Sequence, residues 1–335
     1  MDAVDSLPAL YRPWVRAALE GPIAPETRSD CGACPMVASE PPAISFHPKV
    51  RCCSFHPELP NFLVGAFFRN LSPAMLRGRS LLEARLLARK GVTPLGIARP
   101  PQKAAPAEEF GQRLDRRCPY YVDEGRFGCG IWAAREATCA TWHCKHQRGR
   151  PGRVFWEALR KFLQVHDRAL ARWCLLELGV DAEQLAALED VGFEVDPKRY
   201  EAIWGEHRFA EHRFFAACHE RVAALSPAEV FAIAGPEGRM HALLLKRAED
   251  ALGVAPGDEL LPATITLLKV QPESYVVQSY SPYDLLEMPK ELIDVLALFD
   301  GRGTEDVVRD AEVRGISLDA ETLQRLVDFG FLSAP

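Results

Sequence analysis

Apolar residues recur every three or four positions through the middle of the chain, a spacing that predicts amphipathic helices. In the longest such stretch, VFWEALRKFLQVHDRALARWCLLELG (154–179), the apolar stripe includes Phe155, Leu159 and residues 165–170, and the helix is expected to end at Gly179. Shorter helical patterns lie at 14–19, 80–91, 181–192, 199–225, 226–235 and 241–253. The region 151–260 is therefore predicted to be a helical bundle.

The pattern changes at residues 262–280, where Thr, Ile, Val and Tyr stand in short runs around a Pro-Glu-Ser turn. Such runs are typical of a β-hairpin. Three short helices are predicted after it. The first lies in PKELIDVLALFDG, the second has Thr304 as N-cap and Gly315 as its stop, and the third covers 319–329 before Gly330.

Two earlier segments, 31–60 and 118–147, have no helical or strand period and are rich in Pro, Gly and Cys. Loops of this kind need something other than their own apolar face to hold them. The predicted fold is therefore mainly α, in four parts: an N-terminal helix and connector (1–30), an irregular, metal-held cysteine-cluster domain (31–150), the helical bundle (151–260) and a small winged-helix-like C-terminal module (261–335).

Composition and charge limit the classes of partner that this protein is expected to bind. The 335-residue chain is 48% hydrophobic and 26% charged, as in ordinary globular proteins. Its formal net charge of −6 argues against general binding to nucleic acid or to an anionic membrane. The first residues show no positive segment followed by an apolar one, and no run of about 18 apolar residues occurs. We therefore expect a cytoplasmic protein without a membrane partner.

Eight of the ten cysteines lie before residue 145, in two groups of four. In a reducing compartment, grouped cysteines are more often metal ligands than disulfide partners. A tetrahedral zinc site and a cubane iron–sulfur cluster each need about four thiolates. We therefore predict metal binding by Cys31, Cys34, Cys52 and Cys53 in the first group and by Cys118, Cys129, Cys139 and Cys144 in the second. Cys174 and Cys218 stand alone in helical sequence and are interpreted as small buried residues.

The details of ligation stay open at several positions. Cys52 and Cys53 are adjacent, so their side chains tend to point apart, and either one could be the ligand. Cys118 is the expected fourth ligand of the second group. Four histidines close in sequence could replace a thiolate: His47, His56, His143 and His146.

Residues 118–144, CPYYVDEGRFGCGIWAAREATCATWHC, resemble the second half of the YkgJ-type cysteine-cluster family. The matching positions are Cys118, Cys129, Ile131, Arg135, Cys139, Trp142 and Cys144, and the first half of the family pattern is matched by Cys31, Cys34, Cys52 and Cys53. The resemblance covers 31–147 and implies a zinc- or iron-chelating domain. Three positions depart from the family pattern: Trp132 replaces Tyr, and Glu136 and His143 each replace Pro.

Relatives of that family include a cysteine motif in bacterial flagellin lysine N-methylases, so the resemblance also implies a cluster linked to methyl transfer. The sequence contains neither a Gly-rich methyl-donor loop of the familiar kind nor a C-x3-C-x2-C radical-enzyme motif. Because of the resemblance, a peptide-modifying, methylase-like enzyme is the third hypothesis for this chain.

The segment 272–332 resembles a PqqD-like module, a small winged-helix domain that grips leader peptides. The matching residues are the strand YVVQSY, the helix PKELIDVLALFDGRGT and the helix pair that closes on LVDFGFL. The resemblance implies that a peptide or protein partner binds by adding a strand. The alternative is a helical tail packed on the bundle.

A Cys–His pair and a basic run are two further candidate sites. His143 beside Cys144 suggests a Cys–His nucleophile, but sequence neighbours rarely face one another. The run KHQRGRPGR (145–153) is a basic patch that could meet an anion, or else a solvated loop. The leading hypothesis is an iron–sulfur protein holding one or two [4Fe–4S] clusters, acting in redox chemistry or on a peptide or protein partner. The alternative is a zinc-binding structural or regulatory protein without catalysis.

Overall fold

The computed structural model describes residues 2–37, 45–101, 109–123 and 128–335. About 51% of the chain is helical and the sheets are small, which confirms the mainly α class. Among the described helices, none combines the length and the apolar composition that crossing a bilayer requires. The chain divides into two compact units, each assembled from three segments.

The first unit contains 1–24, 30–142 and 158–246, so most of the cysteine-rich sequence and much of the helical sequence after it belong to one unit. Its helices, some of which extend past these limits, are α1 (Arg12–Ala18), α2 (Asn61–Arg69), α3 (Pro73–Ala88), α4 (Ala137–Thr141), α5 (Gly149–Glu177), α6 (Ala182–Glu189), α7 (Pro197–Trp204), α8 (Glu211–Ala223) and α9 (Pro227–Leu252). Three two-residue strands, β1 (Leu59–Pro60), β2 (Val92–Thr93) and β3 (Gly96–Ile97), pair antiparallel in the order β1-β3-β2.

The centre of this unit is α2, an apolar helix that packs closely on α8. A helix that is apolar on all sides belongs inside a protein. Gly65 permits the close approach, because a Cβ there would lie 1.9 Å from the Phe215 carbonyl oxygen. At the start of α2, the fully buried Asn61 donates to the carbonyl oxygens of Pro94 (3.1 Å) and Ala171 (2.9 Å). This one amide thereby fixes the β2–β3 turn against α5.

The helix predictions for the bundle are confirmed in outline. The pattern at 154–179 is part of α5, and the chain turns at Gly179 with φ of 86°. The pattern at 199–225 is divided between α7 and α8 by a short 3-10 helix, Gly205–His207. The two patterns at 226–235 and 241–253 form α9, with a break at Gly235 (φ 61°) followed by Pro236.

The second unit contains 25–29, 143–157 and 247–335. The predicted hairpin is present as β5 (Thr266–Val270) and β6 (Ser274–Gln278), with β7 (Leu286–Pro289) as a third antiparallel strand. The predicted helices follow as α10 (Lys290–Leu296), α11 (Thr304–Val313) and α12 (Ala320–Asp328). A second ladder joins β4 (Leu261–Pro262) to β8 (Leu332–Ser333). Thr304 begins α11, and its cap is Gly303 rather than Thr304 itself.

Candidate metal centre

Seven of the eight candidate ligands lie in the first unit, and Cys144 lies in the second. The structure describes all ten cysteines, and each is a free thiol. The two cysteines interpreted as core residues are fully buried, and the Cys174 thiol donates to the Cys218 carbonyl oxygen at 3.7 Å. That interpretation is confirmed.

Arg51 joins the two halves of the first cysteine group. Its backbone is left-handed, with φ of 55°, which turns the chain directly before Cys52 and Cys53. Its Nη1 donates to the Cys31 carbonyl oxygen at 2.7 Å, and the Cys53 N–H donates to the Val50 carbonyl oxygen at 3.0 Å. The C-x-x-C turn and the cysteine pair are therefore connected through one guanidinium.

Backbone hydrogen bonds also connect the first group to the second. The Cys118 N–H donates to the Cys53 carbonyl oxygen at 2.6 Å. Cys129 forms an antiparallel bridge with Tyr121, and the Gly130 N–H donates to the Tyr120 carbonyl oxygen at 2.8 Å. The two groups, about 65 residues apart in sequence, thus meet in one region of the first unit.

The thiols of both groups influence one another's ionisation. Burial raises the pKa of Cys118 to about 12, and the charges of Cys129 and Cys52 act in the same direction. Burial also raises the pKa of Cys129, again with a contribution from Cys52. The pKa of Cys139 is well above its ordinary value because of burial, Glu136 and the other thiols. Without a metal these thiols hold their protons, and a bound metal ion would displace those protons.

Arg135 is a buried cation that interacts electrostatically with several of these thiols. Arg135 is 4% exposed, and its guanidinium donates to the carbonyl oxygens of Cys139 (3.0 Å), Trp132 (2.9 Å) and Ser6 (3.0 Å). Burial lowers the pKa of Arg135, while the charges of Cys129, Cys139 and Cys31 raise it. Carbonyl oxygens carry no net charge, and a buried cation is costly unless an anion is near. The surroundings of Arg135 therefore favour negative charge on the thiols.

Glu136, where the family pattern has Pro, is the N-cap of α4. Its carboxylate accepts from the N–H groups of Thr138 (2.6 Å) and Cys139 (2.8 Å). Burial raises the pKa of Glu136, although these two hydrogen bonds oppose the shift. The carboxylate thus fixes the short helix that carries Cys139.

In the second unit, Cys144 lies beside a buried polar network. The Cys144 thiol is 3.4 Å from the Ser29 hydroxyl. Arg28 makes a bidentate ion pair with Asp284 (2.7 and 2.6 Å), which is fully buried. Tyr280 donates to Asp284 at 2.6 Å and accepts from the His146 N–H at 2.9 Å. This network holds the segments around Cys144 to the C-terminal strands.

Several polar residues singled out in the sequence make other contacts. His56 Nε2 lies 3.0 Å from the Arg116 carbonyl oxygen, and His47 Nδ1 accepts from the Lys49 N–H at 3.1 Å. His143 stacks on Trp156, with ring centroids 4.4 Å apart, and burial lowers the pKa of His146 to about 4. In the basic run, Arg148 pairs with Asp328 at 2.5 Å and Arg153 with Glu157 at 2.9 Å.

Sequence reasoning missed a buried acid, Asp167. It is 5% exposed and accepts a hydrogen bond from the Tyr11 hydroxyl at 2.7 Å. The available signal was its position within the apolar stripe of α5, where a carboxyl group is unexpected.

Within the described ranges, no three His, Cys, Asp or Glu side chains converge closely enough to hold a single metal ion. No family model, curated protein or solved structure matches this chain. The resemblances to the cysteine-cluster family and to the PqqD-like module therefore stay predictions from their motifs.

Proposed function

We propose that the first unit binds an iron–sulfur cluster through its cysteines, with a [4Fe–4S] cubane as the main form. The observation that carries the proposal is Arg135, a buried cation that donates to the Cys139 carbonyl oxygen and interacts electrostatically with the thiols of Cys129, Cys139 and Cys31. A centre held by four thiolates carries net negative charge, which would compensate this guanidinium. The donor set fits the group, since cubane clusters are ligated by four cysteine thiolates.

Four thiols affect one another's ionisation: those of Cys52, Cys118, Cys129 and Cys139. A cubane cluster takes four such thiolates, one on each iron. We assign these four as the principal donors, with Cys31, Cys34 and Cys53 of the same unit available to a second centre. When bound, the cluster supplies electron transfer or Lewis acidity.

Anaerobic purification followed by iron, sulfide and zinc analysis and a visible spectrum tests this assignment. We expect about four irons and four sulfides per cluster. The variants Cys118→Ser and Cys129→Ser should lose most of both, while Cys218→Ser, a buried thiol of α8, should keep them. A colourless protein with one or two zinc ions and no sulfide would instead establish the zinc-binding alternative.

We further propose that the second unit takes up a peptide as an added strand on β5. All five residues of β5 are exposed, including Leu267 (49%), Leu268 (44%) and Val270 (62%). In the described sheet, β5 is an edge strand that pairs only with β6. An edge strand offers unpaired N–H and carbonyl groups, and its side chains supply specificity.

Peptides selected from a displayed random library test this second proposal. Selected peptides should slow amide hydrogen exchange in β5, and Leu268→Pro should abolish their binding, whereas Ala334→Pro, at an exposed position after β8, should not. Selected peptides that leave exchange in β5 unchanged would refute strand addition.

A further inference from the structure

The first unit contains a cavity of about 510 Å³ that neither the cysteines nor the C-terminal strands account for. Its lining comes from the β1–β3 sheet, the first turn of α4, the middle of α5 and the end of α6. Ligand sites in proteins commonly have volumes of about 300–1,000 Å³. The cavity is therefore large enough for a small molecule.

Asp167 lies in the wall of this cavity with half of its hydrogen-bonding capacity unused. Oδ2 accepts from the Tyr11 hydroxyl, but Oδ1 is buried and has no hydrogen-bond partner among the described residues. Buried polar atoms nearly always have a partner, and exceptions often mark a functional site. Glu136 also lines the cavity, but its two oxygens are occupied by the N–H groups of α4. Asp167 is thus the acid available to a ligand.

The exposed part of the lining is mainly cationic. Arg99, Arg168 and Arg172 contribute to it, against a single exposed acid, Glu58. Arg168 also pairs with the exposed Glu237 at 2.9 Å, and Arg99 lies over the ring of Phe55. Guanidinium groups at a surface bind carboxylates in a two-pronged geometry.

The lining also contains apolar side chains. Leu95, Ile97, Ala171, Leu188 and Val191 all line the cavity. A molecule that matches these charged and apolar groups carries a hydrogen-bond-donating cation, an anion and an aliphatic or aromatic body. Amino acids have this chemistry.

We propose that this cavity binds a small amino acid or a close analogue, with its ammonium group donating to Asp167 Oδ1 and its carboxylate held by the lining arginines. Burial raises the pKa of Asp167, and the charge of Glu136 raises it further, whereas hydrogen bonds from the Tyr11 hydroxyl and the Ala137 backbone N–H oppose the shift. A bound ammonium ion would favour the ionised carboxylate. This inference does not depend on the metal.

Calorimetric titration of the full chain with the twenty L-amino acids tests the proposal. The best ligand is then compared with its decarboxylated amine and its deaminated acid, and we expect it to bind about tenfold more tightly than either. Failure of all twenty to bind, or equal affinity of the deaminated acid, would overturn the proposal.

Two variants test the acidic part and the cationic part of the site independently. Asp167→Asn keeps the size of the side chain and an acceptor for Tyr11, and it should weaken amino-acid binding about tenfold while sparing the deaminated acid. Arg99→Gln is exposed, so it should leave folding intact and weaken both carboxylate probes but not the amine. Glu206→Gln, in the lining of a separate cavity of about 460 Å³, is the control and should change none of the affinities. Unchanged affinity in Asp167→Asn would refute the assignment.

Discussion

Replacing Asp167 by Asn should stabilise the first unit, and the gain should increase with pH. Burial raises the folded-state pKa of Asp167, so at intermediate pH the native protein holds a proton that the unfolded chain has released. Stability then falls as pH rises from the unfolded pKa, about 3.9, to the folded pKa. Asparagine does not ionise, so the Asp167→Asn protein does not lose stability in this way as pH rises.

The slope of the effect is set by proton linkage. Between the two pKa values, the free energy of unfolding of the wild type should fall by about 1.4 kcal/mol per pH unit relative to Asp167→Asn. Below about pH 4 the two proteins should be equally stable, because both side chains are then neutral and both accept from Tyr11. The pH at which the difference stops growing gives the folded pKa of Asp167.

Urea unfolding followed by tryptophan fluorescence at a series of pH values from 4 to 8 measures this difference. Buried Trp14 and Trp204 both report on the first unit. A pH-independent difference, or an Asp167→Asn protein less stable than wild type throughout, would refute the burial argument.

Three further substitutions test a helix cap, a buried ion pair and a close helix contact. Glu136→Ala removes the N-cap of α4 and should lower the free energy of unfolding by about 1 kcal/mol, whereas Glu136→Asp should retain most of it, as thermal unfolding will show. Asp284→Asn breaks a buried ion pair and should cost about 3 kcal/mol in the second unit; Asp310→Asn, in an exposed pair, should cost under about 1 kcal/mol. Equal losses from these two would contradict the burial assignment. Gly65→Ala should prevent α2 from seating on Phe215 and lower the melting temperature, and an unchanged melting temperature would be inconsistent with that contact.

Helices were predictable where an apolar period met a glycine that adopts positive φ. The long pattern that ends at Gly179 and the C-terminal helices that end at Gly315 and Gly330 are examples, since all three glycines have φ near 80°. The strand β7 was missed because its four residues, LEMP, are too short to show a period. Pairing with β6 rather than any local signal makes them a strand.

The candidate ligands could be named from sequence, but their arrangement could not. Spacing separates the cysteines into two groups, whereas the Cys118 N–H donates to the Cys53 carbonyl oxygen and joins them. The buried position of Arg135 and the cavity beside Asp167 likewise depend on how distant segments pack. Local patterns carry no information about such contacts, because the partners are far apart along the chain.

Glu136 contacts a proposed metal ligand and also lines the cavity beside Asp167. Its backbone angles, φ −70° and ψ 173°, are ones that proline also adopts, so the family's Pro would fit the same chain path. What Glu adds is a buried carboxylate that caps the helix bearing Cys139 and lines the cavity that contains Asp167. The same charge raises the pKa of Cys139 and of Asp167, in each case in addition to the effect of burial. A ligand that brings positive charge to the cavity would therefore also influence the pKa of Cys139.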